Sequence, residues 1–113
     1  MSVRFGVSPI AWINDDLPEL GGETPVETVL RDAHTLGFEG IELGGKFSRD
    51  PVQLRTQLNA HELALIGGWW SAALLARTVD EEIAALQSHL RLLEALGSSV
   101  FIIAAYSPRL RCA

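Results

Sequence analysis

The side chains with the clearest potential for chemistry begin just after the first apolar segment of the sequence. Trp12, Asn14, Asp15 and Asp16 occur close together there. Carboxylates can bind hydroxyl groups or accept a proton, and an indole ring offers an apolar wall beside them. These residues are candidates for a binding site. In the structural alternative, Asp15 or Asp16 caps a turn and Trp12 closes the mouth of the fold.

Further candidates accompany the later apolar segments. Glu42 lies near the end of the second segment, where a carboxylate can act on a substrate or orient a neighbouring group; the alternative is a structural pair with an arginine such as Arg4. Lys46, the only lysine in the chain, could stabilise an enolate oxygen or simply be solvated. Trp69 and Trp70 follow the third segment, and their spacing does not determine which ring faces a pocket, or whether both only pack.

The three histidines and the single cysteine are weaker candidates. His34, His61 and His89 fall within or at the ends of predicted helices, and they share no spacing typical of metal ligands. We expect them to lie away from the active face, in solvated or capping roles. Cys112 has no neighbouring base and is not predicted to be a nucleophile.

The elements that position these residues alternate along the chain. Continuous apolar runs predict strands that are covered on both faces, as in a parallel sheet. The predicted strands are residues 3–8, 40–43, 63–68 and 100–105.

A helix is predicted between each pair of strands. Thr24 and Pro25, followed by Glu27, predict a capping box with proline at the first helical position. Asp50 and Thr78 predict the starts of the second and third helices in the same way. Strands alternating with helices indicate βαβ units and therefore a parallel sheet.

Two parallel architectures are compatible with this order. A doubly wound dinucleotide-binding fold is disfavoured because the first strand is not followed by a G-x-G-x-x-G turn. A long loop reaches Gly22 instead, and long loops at the carboxyl ends of strands are typical of TIM barrels. We therefore expect the N-terminal half of a (β/α)₈ barrel in residues 1–105, with four strands and three helices, and a divergent tail in residues 106–113.

Composition limits the possible partners. The chain has 113 residues, of which 48% are apolar and 20% charged, and its net charge is −5. These values exclude a disordered chain, and no basic cluster suggests nucleic-acid binding. No apolar run is long enough for a signal peptide or a membrane helix. With one cysteine and no disulfide framework, we expect a cytoplasmic protein.

Five segments resemble the N-terminal region of the myo-inosose-2 dehydratase family. They are residues 7–18 (VSPIAWINDDLP), 20–25 (LGGETP), 40–47 (GIELGGKF), 49–51 (RDP) and 67–71 (GGWWS). The resemblance runs from about residue 3 to about residue 103. Each motif is weak alone, whereas their combination is fairly specific.

The resemblance implies a xylose-isomerase-like TIM barrel that removes water from scyllo-inosose, a keto-inositol, in myo-inositol catabolism. It also implies a divalent metal such as manganese or cobalt, and an association with glutathione. The family's metal ligands come from later strands, so no residue of this chain inherits that role. The resemblance is consistent with substrate-binding roles for Trp12, Asn14, Asp15, Glu42, Lys46, Trp69 and Trp70.

The chain departs from the family in length, because family members are more than twice as long. Residues 106–113 no longer resemble them, which suggests a truncated or frameshifted reading frame, or a piece of a longer protein. Two alternatives stay open: another sugar isomerase or epimerase of this superfamily, and a non-catalytic half-barrel. Exposed sheet edges would then favour self-association, without measurable dehydration by the isolated chain.

Overall fold

A computed structural model describes residues 2–105 as one parallel sheet with three helices. The strands are β1 (Gly6–Val7), β2 (Gly40–Leu43), β3 (Ala64–Ala72) and β4 (Phe101–Ala105). The helices are α1 (Val26–Thr35), α2 (Pro51–Ala60) and α3 (Val79–Ala95), and a short 3₁₀ helix (Pro9–Ala11) follows β1.

The strand order is β1-β2-β3-β4, and every neighbouring pair is parallel. Each helix connects one strand to the next, as the alternating sequence pattern predicts. The prediction of four parallel strands and three helices is confirmed. A sequential parallel order of this kind is the arrangement found along the wall of a TIM barrel.

Two strand boundaries differ from the predictions. β1 contains only Gly6 and Val7, since these are the residues whose backbone pairs with β2. β3 continues to Ala72 because its last five residues pair with β4. The sequence suggested that Trp69 and Trp70 follow the third strand. In the structure both residues lie within it.

The helix starts show which capping signals were used. Asp50 accepts a hydrogen bond from the Val52 amide at the start of α2, and Thr78 forms a complete capping box with Glu81 in α3. The capping box predicted for α1 was wrong: its N-cap is Pro25, without a side-chain bond. Glu27 instead contacts His61 at 2.7 Å, so its carboxylate binds the end of α2 and does not reach back to the α1 cap.

The core lies between the helices and one face of the sheet. Ile41 and Leu65, paired in adjacent strands, are buried against apolar residues of all three helices. The helical members of this cluster are Val29, Leu30, Ala33, Leu54, Leu58, Leu92 and Leu93. The burial of these side chains is the main contribution to the stability of the fold. It also fixes the position of the helices relative to the strand ends.

The opposite face of the sheet is open. Ile66 of β3 extends over the glycines of the two preceding strands: a Cβ at Gly6 would lie 2.2 Å from its Cδ1, and one at Gly40 would lie 2.3 Å from its Cγ2. Ile66 nevertheless remains exposed. Glycine is therefore used at these positions for close side-chain approach.

None of the helices within residues 2–105 is long and apolar enough to cross a membrane. Cys112 and the predicted tail, residues 106–113, lie outside the described residues.

Candidate functional site

A cavity of about 710 Å³ lies at the carboxyl ends of β1, β2 and β3, beside α3. A cavity of this size can hold a small molecule. Its lining residues are Ser8, Pro9, Ile10, Asp15, Asp16, Glu42, Leu43, Gly45, Arg49, Trp69, Trp70, Ser71, Ser88, His89 and Leu92. The carboxyl edge of a parallel sheet is where such folds build their sites, so this cavity is the candidate site.

Glu42 brings a carboxylate from β2 into this cavity. No hydrogen bond or ion pair to its side chain occurs among residues 2–105. Arg4, the structural partner considered from sequence, lines a different cleft together with Glu39, which precedes β2. Within the described chain, the Glu42 carboxylate is therefore available to a ligand.

A register shift in β3 determines how the two tryptophans are placed. Ile41 pairs with Leu65 whereas Glu42 pairs with Gly67, so Ile66 is an extra residue in the third strand. Because side chains alternate along a strand, one extra residue exchanges the faces of all residues beyond it. Trp69 and Trp70 are consecutive and therefore lie on opposite sides of the strand, and the extra residue determines which side each of them takes.

Trp69 is the more open of the two rings. Its side chain is 53% exposed, and its indole nitrogen donates a hydrogen bond to Ser71 Oγ at 3.0 Å. Trp70 instead packs toward α3, where its indole nitrogen donates to Glu82 Oε1 at 2.7 Å. Both rings border the cavity, Trp69 as an exposed apolar platform and Trp70 as part of the wall on the α3 side.

His89 corrects the prediction that all three histidines lie away from the active face. It projects from α3 into the cavity lining, between Trp70 and Phe101, with both ring centroids 5.5 Å from its own. Burial lowers the pKa of His89; the Gly68 backbone opposes this shift, and the positive charge of Arg49 adds to it. The neutral imidazole is consequently favoured. Sequence spacing could not indicate this position, because it depends on how α3 packs against β3.

Asp15 connects two loops at the cavity rim. Its carboxylate accepts a hydrogen bond from the Gly45 amide at 3.0 Å, across thirty positions of sequence. A Cβ at Gly45 would lie 2.7 Å from that carboxylate, so glycine permits the approach. Arg49 lines the same rim; burial lowers its pKa while the charge of Asp15 raises it.

Trp12, Asn14 and Lys46 are not among the residues that line the cavity. The Trp12 indole nitrogen donates to Asp32 of α1 at 3.1 Å, and Asn14 Oδ1 accepts from two backbone amides of its own loop. Lys46 Nζ donates to the Gly22 carbonyl. These three contacts organise the first two strand-to-helix loops.

Four lining residues with polar side chains were not among the candidates from the sequence: Ser8, Arg49, Ser71 and Ser88. Ser8 directly follows β1 and Ser71 lies near the end of β3, and a position near a strand end is the same signal that indicates Glu42. Arg49 and Ser88 gave no such signal. Asp16, weighed with Asp15 from the sequence, also reaches the lining.

The described residues do not match the donor set of a divalent metal site. No group of three or more histidine, cysteine, aspartate or glutamate side chains in residues 2–105 is arranged to hold a metal ion. Manganese and cobalt sites in proteins are built from several such donors. No chemical step at this cavity is therefore assigned to a metal.

The sequence is similar to proteins named as inosose dehydratases and to one named as a rhizopine catabolism protein. It is 45% identical over 98 residues to the "Rhizopine catabolism protein MocC" of Rhizobium meliloti, covering 87% of this chain and 30% of that protein. It is 36% identical over 104 residues to an inosose dehydratase of Lacticaseibacillus casei, covering 92% and 35%, and 36% identical over 101 residues to one of Geobacillus thermodenitrificans, covering 89% and 34%. The chain thus spans about a third of the length of the curated relatives it matches.

The fold also has a solved counterpart. The crystal structure of an AP endonuclease, family 2, from Brucella melitensis superposes with a TM-score of 0.62 and 17% identity, covering 88% of this chain and 40% of the other. This likeness concerns the fold alone. A scan of family models finds no match. Over about nine tenths of its length the chain is therefore similar to inosose dehydratases and MocC, and its fold is that of part of a TIM barrel.

Proposed function

We propose that this cavity is the part of an inosose dehydratase-like active site that contacts the ring of a keto-inositol such as scyllo-inosose. The observation that carries the proposal is the Glu42 carboxylate, unpaired among residues 2–105 and lining the same cavity as the exposed Trp69. A carboxylate can bind adjacent hydroxyl groups, and an aromatic ring can cover the apolar face of a cyclic polyol. The sequence similarity to inosose dehydratases supports the same substrate class.

Elimination of water beside a ketone requires two events on neighbouring carbons. A base takes a proton from the carbon next to the carbonyl, and an acid donates a proton to the hydroxide that leaves the following carbon. One C–H and one C–O bond break, one C=C bond forms and one water is released, and the base passes one proton back to the acid for the next cycle. Glu42 is suited to bind a ring hydroxyl or to hold a proton at its carboxylate. The neutral imidazole of His89 can accept or donate a hydrogen bond at the α3 wall.

The metal and the glutathione implied by the resemblance stay predictions for this chain. We infer that manganese or cobalt, if used, is held by residues of the longer relatives that have no counterpart here, because the described donors do not converge. The ion would supply charge stabilisation for the enolate oxygen. The association with glutathione stays a prediction from the resemblance.

The proposal is tested by titrating the purified 113-residue chain with scyllo-inosose and following the NMR signals of the Trp69 indole and the Glu42 backbone. We expect saturable shifts. Glu42→Gln is expected to weaken binding by about tenfold, since a hydrogen bond to a charged group contributes about 1.5–3 kcal/mol. Glu39→Gln is the matched control, because Glu39 lines the other cleft, and it should bind like wild type.

Absence of shifts at millimolar ligand, or equal binding by Glu42→Gln, would contradict the proposal. Titration with open-chain ketoses in parallel separates the dehydratase assignment from a sugar isomerase or epimerase, which should prefer them. We expect no dehydration of scyllo-inosose by the chain alone when manganese is added. Turnover under those conditions would place a functional metal site within these 113 residues.

A second function, self-association of a half-barrel, is favoured by the exposed apolar side chains of the sheet and its edges. Phe5 precedes β1 and Ile103 lies in β4, the two outer strands, and their side chains are 67% and 50% exposed. We propose that a second copy of this chain covers the open face and the edges of the sheet. Two sets of four sequential parallel strands amount to eight, the number that closes a barrel of this type and removes both edges.

A further inference from the structure

We propose that Glu82 is a positioning residue: it holds Trp70 against α3 and thereby leaves Trp69 as the ring presented to the cavity. The orientation of the two rings is inferred from contacts among residues 2–105. The effect of that orientation on ligand binding rests on the proposed function of the cavity. Neither the sequence motifs nor the comparisons assign a role to this glutamate.

Glu82 is the one charged side chain among residues 2–105 that is almost fully buried, with 3% of its surface exposed. Oε1 accepts from the Trp70 indole nitrogen at 2.7 Å, and Oε2 accepts from the Ala73 amide at 3.2 Å. Arg77 forms an ion pair with the same carboxylate. A buried carboxylate requires partners of this kind, and here all three belong to β3 or to the segment that follows it.

These contacts connect the first turn of α3 to the end of β3. The helix start itself is held by the capping box of Thr78 and Glu81, so the backbone at Glu82 is independently ordered. Glu82 therefore presents a fixed acceptor on the helix side of the strand. The ring that supplies the N–H donor is drawn to that side, and alternation sends its neighbour to the other side.

The indole nitrogen of Trp70 donates to the Glu82 carboxylate, whereas that of Trp69 donates elsewhere. The Trp69 indole nitrogen has its own partner, Ser71 Oγ, two residues along the strand. Trp70 is further enclosed by His89, whose ring is tilted 44° to it. If Trp70 lost Glu82, its part-buried N–H would have no acceptor in this arrangement, which is the costly outcome for a buried donor.

The choice of carboxylate over amide follows from the partners. Trp70, Ala73 and Arg77 all donate, and an ionised carboxylate only accepts. A glutamine can keep one oxygen toward Trp70 but then directs its NH₂ group at other donors. Glu82→Gln should therefore restore part of what Glu82→Leu removes.

The test uses the ¹⁵N-labelled 113-residue chain without ligand. The three indole N–H signals are assigned with single Trp→Phe variants, and their hydrogen exchange is measured. In Glu82→Leu we expect the Trp70 signal to shift and to exchange at least about tenfold faster, as expected for a lost hydrogen bond, with an accompanying shift of the Trp69 signal. Glu82→Gln should fall between Glu82→Leu and wild type.

Asp80→Asn is the matched control, since it removes one negative charge from the same helical turn at an exposed position, and it should leave all three signals unchanged. If Glu82→Leu fails to fold, Trp70→Phe decides: a phenyl ring replaces the indole and the N–H donor to Glu82 is lost, so the Trp69 signal should move as it does in Glu82→Gln. An unchanged Trp70 signal in a folded Glu82→Leu variant, or an unchanged Trp69 signal in Trp70→Phe, would overturn the positioning role.

Addition of scyllo-inosose to the same samples separates this inference from the proposed function. If wild type shows no ligand shifts while the Glu82 variants reorganise the indole signals, the function fails and the positioning role stands. If wild type binds scyllo-inosose and the variants with a displaced Trp69 bind it several-fold more weakly, both the proposed function and the positioning role of Glu82 are supported.

Discussion

Asp15 and Lys46 illustrate how residues selected for possible chemistry can be engaged in structure. Asp15 lines the cavity, yet its carboxylate accepts the Gly45 amide and lies near Arg49. Lys46 donates to the Gly22 carbonyl. Both side chains tie the loop after β1 to the loop after β2. Glu42 differs because no such contact occupies it within residues 2–105.

His89 leads to a prediction about pH and stability. Burial lowers the pKa of His89 in the folded chain, so the unfolded state binds protons more readily. The stabilisation is complete above the ordinary histidine pKa of about 6.5 and is lost as pH falls through the lowered folded value. Urea unfolding at a fixed protein concentration should therefore give a lower free energy of unfolding at pH 5.5 than at pH 7.5.

Replacement of the ring isolates this contribution. In His89→Phe the new side chain cannot be protonated, and an aromatic ring remains beside Trp70 and Phe101. The free energy of unfolding of this variant should therefore fall less between pH 7.5 and pH 5.5 than that of wild type. His34→Gln, at an exposed position on α1, should retain the wild-type pH dependence. Equal slopes for wild type and His89→Phe would show that His89 does not titrate with folding.

At the scale of elements, the helix starts separate signals that are used from signals that are not. Thr78 and Glu81 form both hydrogen bonds of a capping box, because the two residues lie within one turn and need no distant partner. Thr24 and Glu27 have the same spacing, but Glu27 binds His61 of another element. A local motif is therefore a reliable guide only where no tertiary contact competes for its side chains.

This difference predicts unequal effects of two matched substitutions. Thr78→Ala removes the side-chain acceptor for the Glu81 amide and should lower the free energy of unfolding by about 1 kcal/mol. Thr24→Ala removes no cap and should change it by less than about 0.5 kcal/mol. Urea unfolding of both variants provides the measurement, and equal destabilisation would contradict the assignment of Pro25 as the N-cap of α1.

At the scale of the whole molecule, one face of the sheet is covered by helices and the other is open. The two outer strands, β1 and β4, each have an edge without a partner among the described residues. Such edges and exposed apolar side chains favour association. The relatives that this chain matches are about three times longer, so they contain further chain that could cover this face.

Sedimentation velocity tests whether a second copy covers this face in the 113-residue chain. We expect self-association at micromolar concentration, reduced by Phe5→Lys and by Ile103→Lys because each places a charge at a sheet edge. Val52→Lys is the matched control: Val52 is 68% exposed, but it lies on α2. A monomeric wild-type chain, or an equal effect of all three substitutions, would contradict the proposed partner.

The sequence by itself determined the order of the elements and most of their limits. Apolar runs and helical periodicity depend on residues close together in the chain, so β2, α2 and α3 could be predicted from them. The same locality made Asp50 and Thr78 recognisable as caps. The position of Glu42 near the end of a predicted strand made its carboxylate a candidate, with an arginine pair as the alternative, and the structure places it in the cavity lining.

Only the tertiary structure decided how the candidate side chains are used. The orientation of Trp69 and Trp70 depends on an extra residue in β3 and on Glu82 from a later helix. The entry of His89 into the cavity depends on how α3 packs against the sheet. These are contacts between segments distant in sequence, and register and packing are set by the joint fit of several elements, which no single stretch of residues encodes.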